Sequence, residues 1–146
     1  MHDYWERRFL AVAEQIGSWS KDPSTKCGAV LVRPDNSIAS TGYNGFPRQM
    51  DDLPDLYVDR EQKYDRVIHA EMNALMFCRD TVPLKGYTLY TTAPCCSRCI
   101  VHMIQAGIDN FVWPRATPEQ AQRWNLKATY RYMSESGVAL YEPDPI

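Results

Sequence analysis

The sequence predicts an α/β fold in which one central mixed sheet of about five strands is flanked by helices. Three observations carry that expectation. The chain opens on a stretch with helical spacing, a hairpin pattern follows, and strand-like and helix-like segments then alternate to the end. At 146 residues the chain fits a single domain spanning 1–146, long enough to bury roughly two-thirds of its unfolded surface.

The first segment, "MHDYWERRFLAVAEQIG", sets Trp5, Phe9, Leu10, Ala13 and Ile16 on one helical face, and Gly17 suits its end. Charges interrupt its apolar pattern, so it reads as an amphipathic helix and not as an export signal. "KCGAVLVRPDNSIASTGYNG" gives two strands joined by the tight "PDNS" turn. "GFPRQMDDLPDLYVDREQKYDR" then reads as a polar loop of about twenty residues, a length usually tied to function or flexibility. A helix opens near His69 through "AEMNALMFC", and "GYTLYTTA" is β-rich. "CSRCIVHMIQAG" is helical and stops at Gly107, "DNFVWP" is a short strand, "TPEQAQRWNLKATYRYMSES" a last helix and "GVALYE" a final strand.

Composition narrows the function. Hydrophobic residues make up 45% and charged residues 23%, the balance of a soluble globular protein. No run approaches the ~18 apolar residues of a membrane span. Net charge is −2 and pI about 5.9, without the basic stripe that a nucleic-acid binder shows. Five cysteines, an odd number with no export signal, argue against a disulfide framework and for metal binding or buried thiols in a reducing cytoplasm.

Two clusters carry chemistry. Cys96 and Cys99 stand three apart at a predicted helix start, so their sulfurs share one face, the spacing of a common zinc half-site. His69 and Glu71 are two apart, and on a regular helix they would diverge. With His69 at the helix head in non-helical geometry, both can face one point. His-x-Glu followed by Pro and Cys-x-x-Cys is the signature of zinc deaminases.

With that signature, "SKDPSTKCGAVLV", "STGYNGFP", "HAEMNAL" and "CSRCIVHMIQAGI" resemble, in order, the landmarks of the cytidine and deoxycytidylate deaminase superfamily, specifically the deoxycytidylate (dCMP) deaminases. The resemblance implies a cytidine-deaminase-like three-layer α-β-α sandwich. It implies one catalytic Zn²⁺ per chain held by His69, Cys96 and Cys99, with the fourth position open as in catalytic sites. Glu71 would be the general acid/base, a role suited to a carboxylate whose pKa a dry pocket raises. The implied activity is hydrolysis of dCMP to dUMP and ammonia, which supplies the precursor of dTTP.

Further expectations follow from the same resemblance. Asn44, at the end of the second strand, would hold the deoxyribose, with Ala70 and Lys26 also contacting substrate; a turn role for Asn44 is compatible with this. Lys21, Lys26, Arg48 and Arg115 are the candidate phosphate cations. A homo-oligomer, a hexamer, is implied, activated by dCTP and inhibited by dTTP with Mg²⁺. Gly42, Asn44, Gly45, Arg48, Asp51 and Asp52 are the candidate regulatory residues. One departure stands out: Cys95 occupies the place where the family has Pro, and Pro94 lies one residue earlier. Cys96 is taken as the ligand because it alone keeps the Cys-x-x-Cys spacing. Cys95 and Cys78 are then structural thiols, Cys27 a strand residue facing the core, and His102 a surface or core polar group. The alternatives are a deaminase of nucleosides or nucleic acid, or a zinc-stabilised binding module that closes its site with a fourth ligand such as His102.

Overall fold

The computed structural model describes residues 3–144. Helix α1 (Asp3–Gly17) leads into a hairpin of β1 (Gly28–Val32) and β2 (Ile38–Tyr43). There follow α2 (Pro54–Val58), α3 (Arg60–Arg66), α4 (Ala70–Phe77), β3 (Thr88–Thr91), α5 (Ser97–Gln105), β4 (Asn110–Val112), α6 (Pro118–Arg123), α7 (Leu126–Ser136) and β5 (Ala139–Tyr141). The sheet order is β2-β1-β3-β4-β5. Strand β1 pairs antiparallel with β2 and β3, while β3, β4 and β5 run parallel. The expected mixed five-stranded sheet is the one observed.

Strand periodicity builds the layers. Along β1, Val30 and Val32 pack with Phe9 and Ala13 of α1, together with Tyr90 and Val112. Ala29 and Leu31 point the other way, into the core under α4 and α5 with Ile100, Met103, Phe111 and Trp113. Both faces of β1 are therefore covered, which is why its five residues are all apolar or glycine and all buried. Each large side chain fully buried here contributes about 1.5–3 kcal/mol.

Two glycines set how closely helix and sheet approach. A Cβ on Gly28 would lie 1.8 Å from the Ala13 carbonyl oxygen of α1. One on Gly42 would lie 2.4 Å from both the Ala70 carbonyl oxygen and the Ala74 nitrogen of α4. Gly42, a candidate regulatory residue, is thus occupied in packing.

Two readings need correction. The segment read as a polar loop contains α2 and α3. Pro54 opens α2, and the Asp59 carboxylate caps α3 by accepting from the Glu61 and Gln62 amides. Both helices are too short to show a hydrophobic period. The helix read as continuous over 117–136 is two. Thr117 and Gln120 form a capping box at the start of α6, and Asn125, at φ +52°, breaks the chain before α7. No helix among the described residues is long and apolar enough to cross a membrane.

Candidate metal centre and active-site cavity

The chemistry-bearing residues sit at the heads of α4 and α5, both on the α5 side of the sheet. His69 precedes α4 with φ −70° and ψ 156°, and Cys96 precedes α5 with φ −68° and ψ 163°. These extended capping conformations let His69 and Glu71 converge although they are two apart. Cys99, in the first turn of α5, shares a face with Cys96. The Cys96 carbonyl accepts from the Cys99 and Ile100 amides, which fixes that turn.

The geometry is compact. His69 Nδ1 lies 3.4 Å from Cys96 Sγ and 3.3 Å from Cys99 Sγ, and the three donors all fall within 4.8 Å of one another. A tetrahedral zinc with Zn–S near 2.3 Å and Zn–N near 2.0 Å needs nitrogen and sulfur roughly 3.5 Å apart and the two sulfurs roughly 3.8 Å apart. Two buried thiols and an imidazole at that spacing fit Zn²⁺. Protons compete for the same atoms. Hydrogen bonds with Cys96 and then Glu71 push His69 up to about 10. The Cys96 thiol is pushed up by its hydrogen bond with Cys99 and by burial, and the Cys99 thiol by its hydrogen bond with Cys95. A metal must displace these protons, so its affinity falls with acid.

Glu71 is buried, with Oε1 3.5 Å from His69 Nδ1. It lines a cavity of about 400 Å³ with His69, Ala70 and Cys96 at its floor. Cys95 is fully buried in the core and its carbonyl accepts from Thr129 Oγ1 at 3.0 Å. The donor cluster takes in Cys96. His102 is exposed and engages the Arg98 carbonyl at 2.7 Å, outside the cluster. Cys78 caps the end of α4 against the core. Cys27 packs against the core as expected, but it lies one residue before β1 and also lines the cavity. All five cysteines are free.

The wall of the cavity is built around Asn44. Its Oδ1 accepts from the Cys27 amide at 2.9 Å, and its Nδ2 donates to the Thr25 carbonyl at 2.8 Å. That bonding leaves one oxygen lone pair for a ligand. Beside it lies a buried ion pair that no sequence motif marks: Lys63 of α3 and Asp22, 2.7 Å apart, both nearly inaccessible. Burial opposes ionisation of Asp22. The hydrogen bond from Lys63 and those from the Ser24 and Thr25 amides outweigh it and hold the carboxyl below its usual value.

The cations expected to meet phosphate lie elsewhere. Lys21 pairs with Asp52 on the surface, and Asp52 also accepts from Tyr57 Oη at 2.8 Å. Lys26 donates to the Ser20 carbonyl and faces a separate cleft beside α1. Arg48 stacks over the Phe77 ring at 4.5 Å, and Arg115 pairs with Asp144. Gly45 bridges Ile68, and Asp51 is exposed. The cations and aromatics that do line the cavity are Lys63, Arg98, Arg123, Tyr64 and Trp124.

The family model described as the cytidine and deoxycytidylate deaminase zinc-binding region matches residues 3–114. An uncharacterized deaminase of Aliivibrio fischeri is 38% identical over 136 residues, covering 92% of this chain and 90% of its own. The deoxycytidylate deaminase of Mus musculus is 37% identical over 116 residues, covering 75% of this chain. The chain spans 64% of that relative's length. Among solved structures, the dCMP deaminase of cyanophage S-TIM5 in complex with dCMP and dUMP shares the fold. Its TM-score is 0.76 over 97% of this chain and 98% of that one, at 22% identity. The matched region carries the His-x-Glu and Cys-x-x-Cys helix heads, and the chain belongs to the cytidine and deoxycytidylate deaminase zinc-binding family.

Proposed function

We propose that this protein is a deoxycytidylate deaminase, a hydrolase that converts dCMP and water to dUMP and ammonia. One observation carries the reading: the trio His69, Cys96 and Cys99 converges at two helix heads with Glu71 beside it on the floor of a cavity. These three residues would hold Zn²⁺ with a fourth position open. Bound there, zinc would supply the Lewis acidity that makes a water nucleophilic near neutral pH.

The chain's own residues do the rest. Glu71 takes a proton from the attacking water and passes it to ring N3 as oxygen bonds to C4. It then takes the second proton from the oxygen now on C4 and delivers it to the exocyclic nitrogen, the C4–N bond breaks, and ammonia leaves. Ala70, buried at the first position of α4, lies against the base, and the free lone pair of Asn44 receives a sugar hydroxyl. Burial of the carboxylate keeps bulk water from competing for these protons.

The finer expectations stand as part of this proposal. Exposed Met76 and Phe77 on α4 and Val101 on α5 support self-association, with a homohexamer as the assembly. Regulation by dCTP and by dTTP with Mg²⁺ is assigned to the loop carrying Arg48, Asp51 and Asp52, which lies outside the cavity lining. Free thiols and an acidic pI support a cytoplasmic enzyme of small nucleotides that binds neither nucleic acid nor membrane. A panel of dCMP, deoxycytidine and a single-stranded oligonucleotide tests the reading. It requires dCMP to give the highest kcat/KM, and preference for either other substrate rejects it.

A further inference from the structure

A nucleotide enzyme must tell a monophosphate from the bare nucleoside, and the four cations expected from the sequence to do so lie off the cavity. Three others line it: Lys63, Arg98 and Arg123. Lys63 is already neutralised. Its ammonium lies 2.7 Å from Asp22 and donates to Ser24 Oγ at 3.0 Å, so a phosphate would have to compete with a buried carboxylate. Neither arginine has an acidic partner in an ion pair among the described residues.

The two arginines differ in where they stand. Both are exposed, and Arg98 occupies the second position of α5, next to the metal donors. Arg123 closes α6, and its Nη2 donates to Thr25 Oγ1 at 3.4 Å. The carbonyl of the same Thr25 accepts from Asn44 Nδ2. Asn44, Thr25 and Arg123 therefore form one continuous wall, with the sugar-facing carboxamide at one end and an uncompensated guanidinium at the other. The ring of Trp124 lies 5.4 Å beneath that guanidinium and limits its swing.

We propose that Arg123 is the specificity-determining residue for nucleotide over nucleoside. Its guanidinium receives the 5′-phosphate, and Thr25 positions it. This rests on the deoxycytidylate deaminase reading above. Arginine suits the task because its planar fork can make two parallel hydrogen bonds to phosphate oxygens. The other cation on the Asn44 wall, Lys63, is held by Asp22.

The test is steady-state kinetics on dCMP and deoxycytidine, with zinc content measured in parallel, for wild type, Arg123→Ala, Arg123→Lys and Arg98→Ala. Arg123→Ala is expected to lower the ratio of kcat/KM for dCMP over deoxycytidine by roughly 10- to 100-fold, the worth of hydrogen bonds to a charged group. The loss should appear mainly as a raised KM for dCMP, with zinc retained. Arg123→Lys should recover part of the ratio as a point charge without the fork. An unchanged ratio in Arg123→Ala, or a fall in the ratio for Arg98→Ala alone, overturns the assignment. Equal losses on both substrates would also overturn it, by showing a structural role. Wild type that does not prefer dCMP contradicts the nucleotide reading itself. Wild type that prefers it, with Arg123→Ala unaltered, contradicts this inference alone.

Discussion

Removing Lys63 should destabilise the protein in a pH-dependent way, because it strands a buried charge. Asp22 is fully inaccessible and Lys63 nearly so, at 2.7 Å, and breaking one partner of such a pair typically costs about 3–5 kcal/mol. A second route sets a ceiling. In Lys63→Met, Asp22 can escape by taking up a proton, and from an ordinary value of 3.8 that costs about 4.4 kcal/mol at pH 7 and about 1.6 kcal/mol at pH 5. In wild type the lowered carboxyl contributes stability above its unfolded value, lost only as pH falls through the folded one. In the variant the folded value is raised, so the penalty grows as pH rises. Urea unfolding of the metal-loaded proteins should therefore show a deficit of about 3–4 kcal/mol at pH 7, a midpoint lower by about 2 M. The deficit should shrink below about 2 kcal/mol at pH 5. The double variant Lys63→Met with Asp22→Asn should recover part of the loss at pH 7. A deficit under about 1 kcal/mol, or one that ignores pH, would refute the reasoning.

Other substitutions separate the roles at the metal centre. Glu71→Gln should keep its zinc while kcat for dCMP falls by about 10²–10⁴-fold; loss of metal would make Glu71 a ligand and contradict the role given to it. Cys96→Ser and Cys99→Ser should each lose both zinc and activity, whereas Cys95→Ser should retain zinc, as metal analysis by mass spectrometry would show. Zinc lost from the Cys95 variant with the Cys96 variant intact would reverse the assignment of ligands. Under the proposed regulation, dCTP and dTTP move the dCMP saturation curve in opposite directions, and superimposable curves reject it.

The metal donors could be read from the sequence because each lies in a local motif whose geometry the backbone dictates. A capping His brings its neighbour two residues on to the same point, and Cys-x-x-Cys at a helix head shares one face. The hairpin and the sheet were legible for the same reason, through an apolar β1 and the turn that follows it. The rest of the site is not local. Its wall joins residues 22–27, 63–67 and 123–125, which meet only once α3 and α6 have docked. Asp22 lies in "KDPST" and reads as an exposed turn until Lys63 arrives from a segment without periodicity. Arg123 and Trp124 sat inside what looked like one long helix, because Asn125 adopts left-handed geometry where no Gly or Pro announces it. Of the candidate phosphate cations, Lys21 and Arg115 pair with acidic side chains, Lys26 donates to a backbone carbonyl and Arg48 stacks on Phe77, so none lines the cavity.

Conversion of dCMP by the purified protein, assayed with its metal in place and again after chelation, puts the account to its most direct trial. The account predicts stoichiometric zinc, formation of dUMP and ammonia in equal amounts, and loss of both on chelation with recovery when zinc is restored. A protein that carries its zinc yet leaves dCMP untouched, or one that deaminates dCMP at full rate after the metal is stripped, would contradict it.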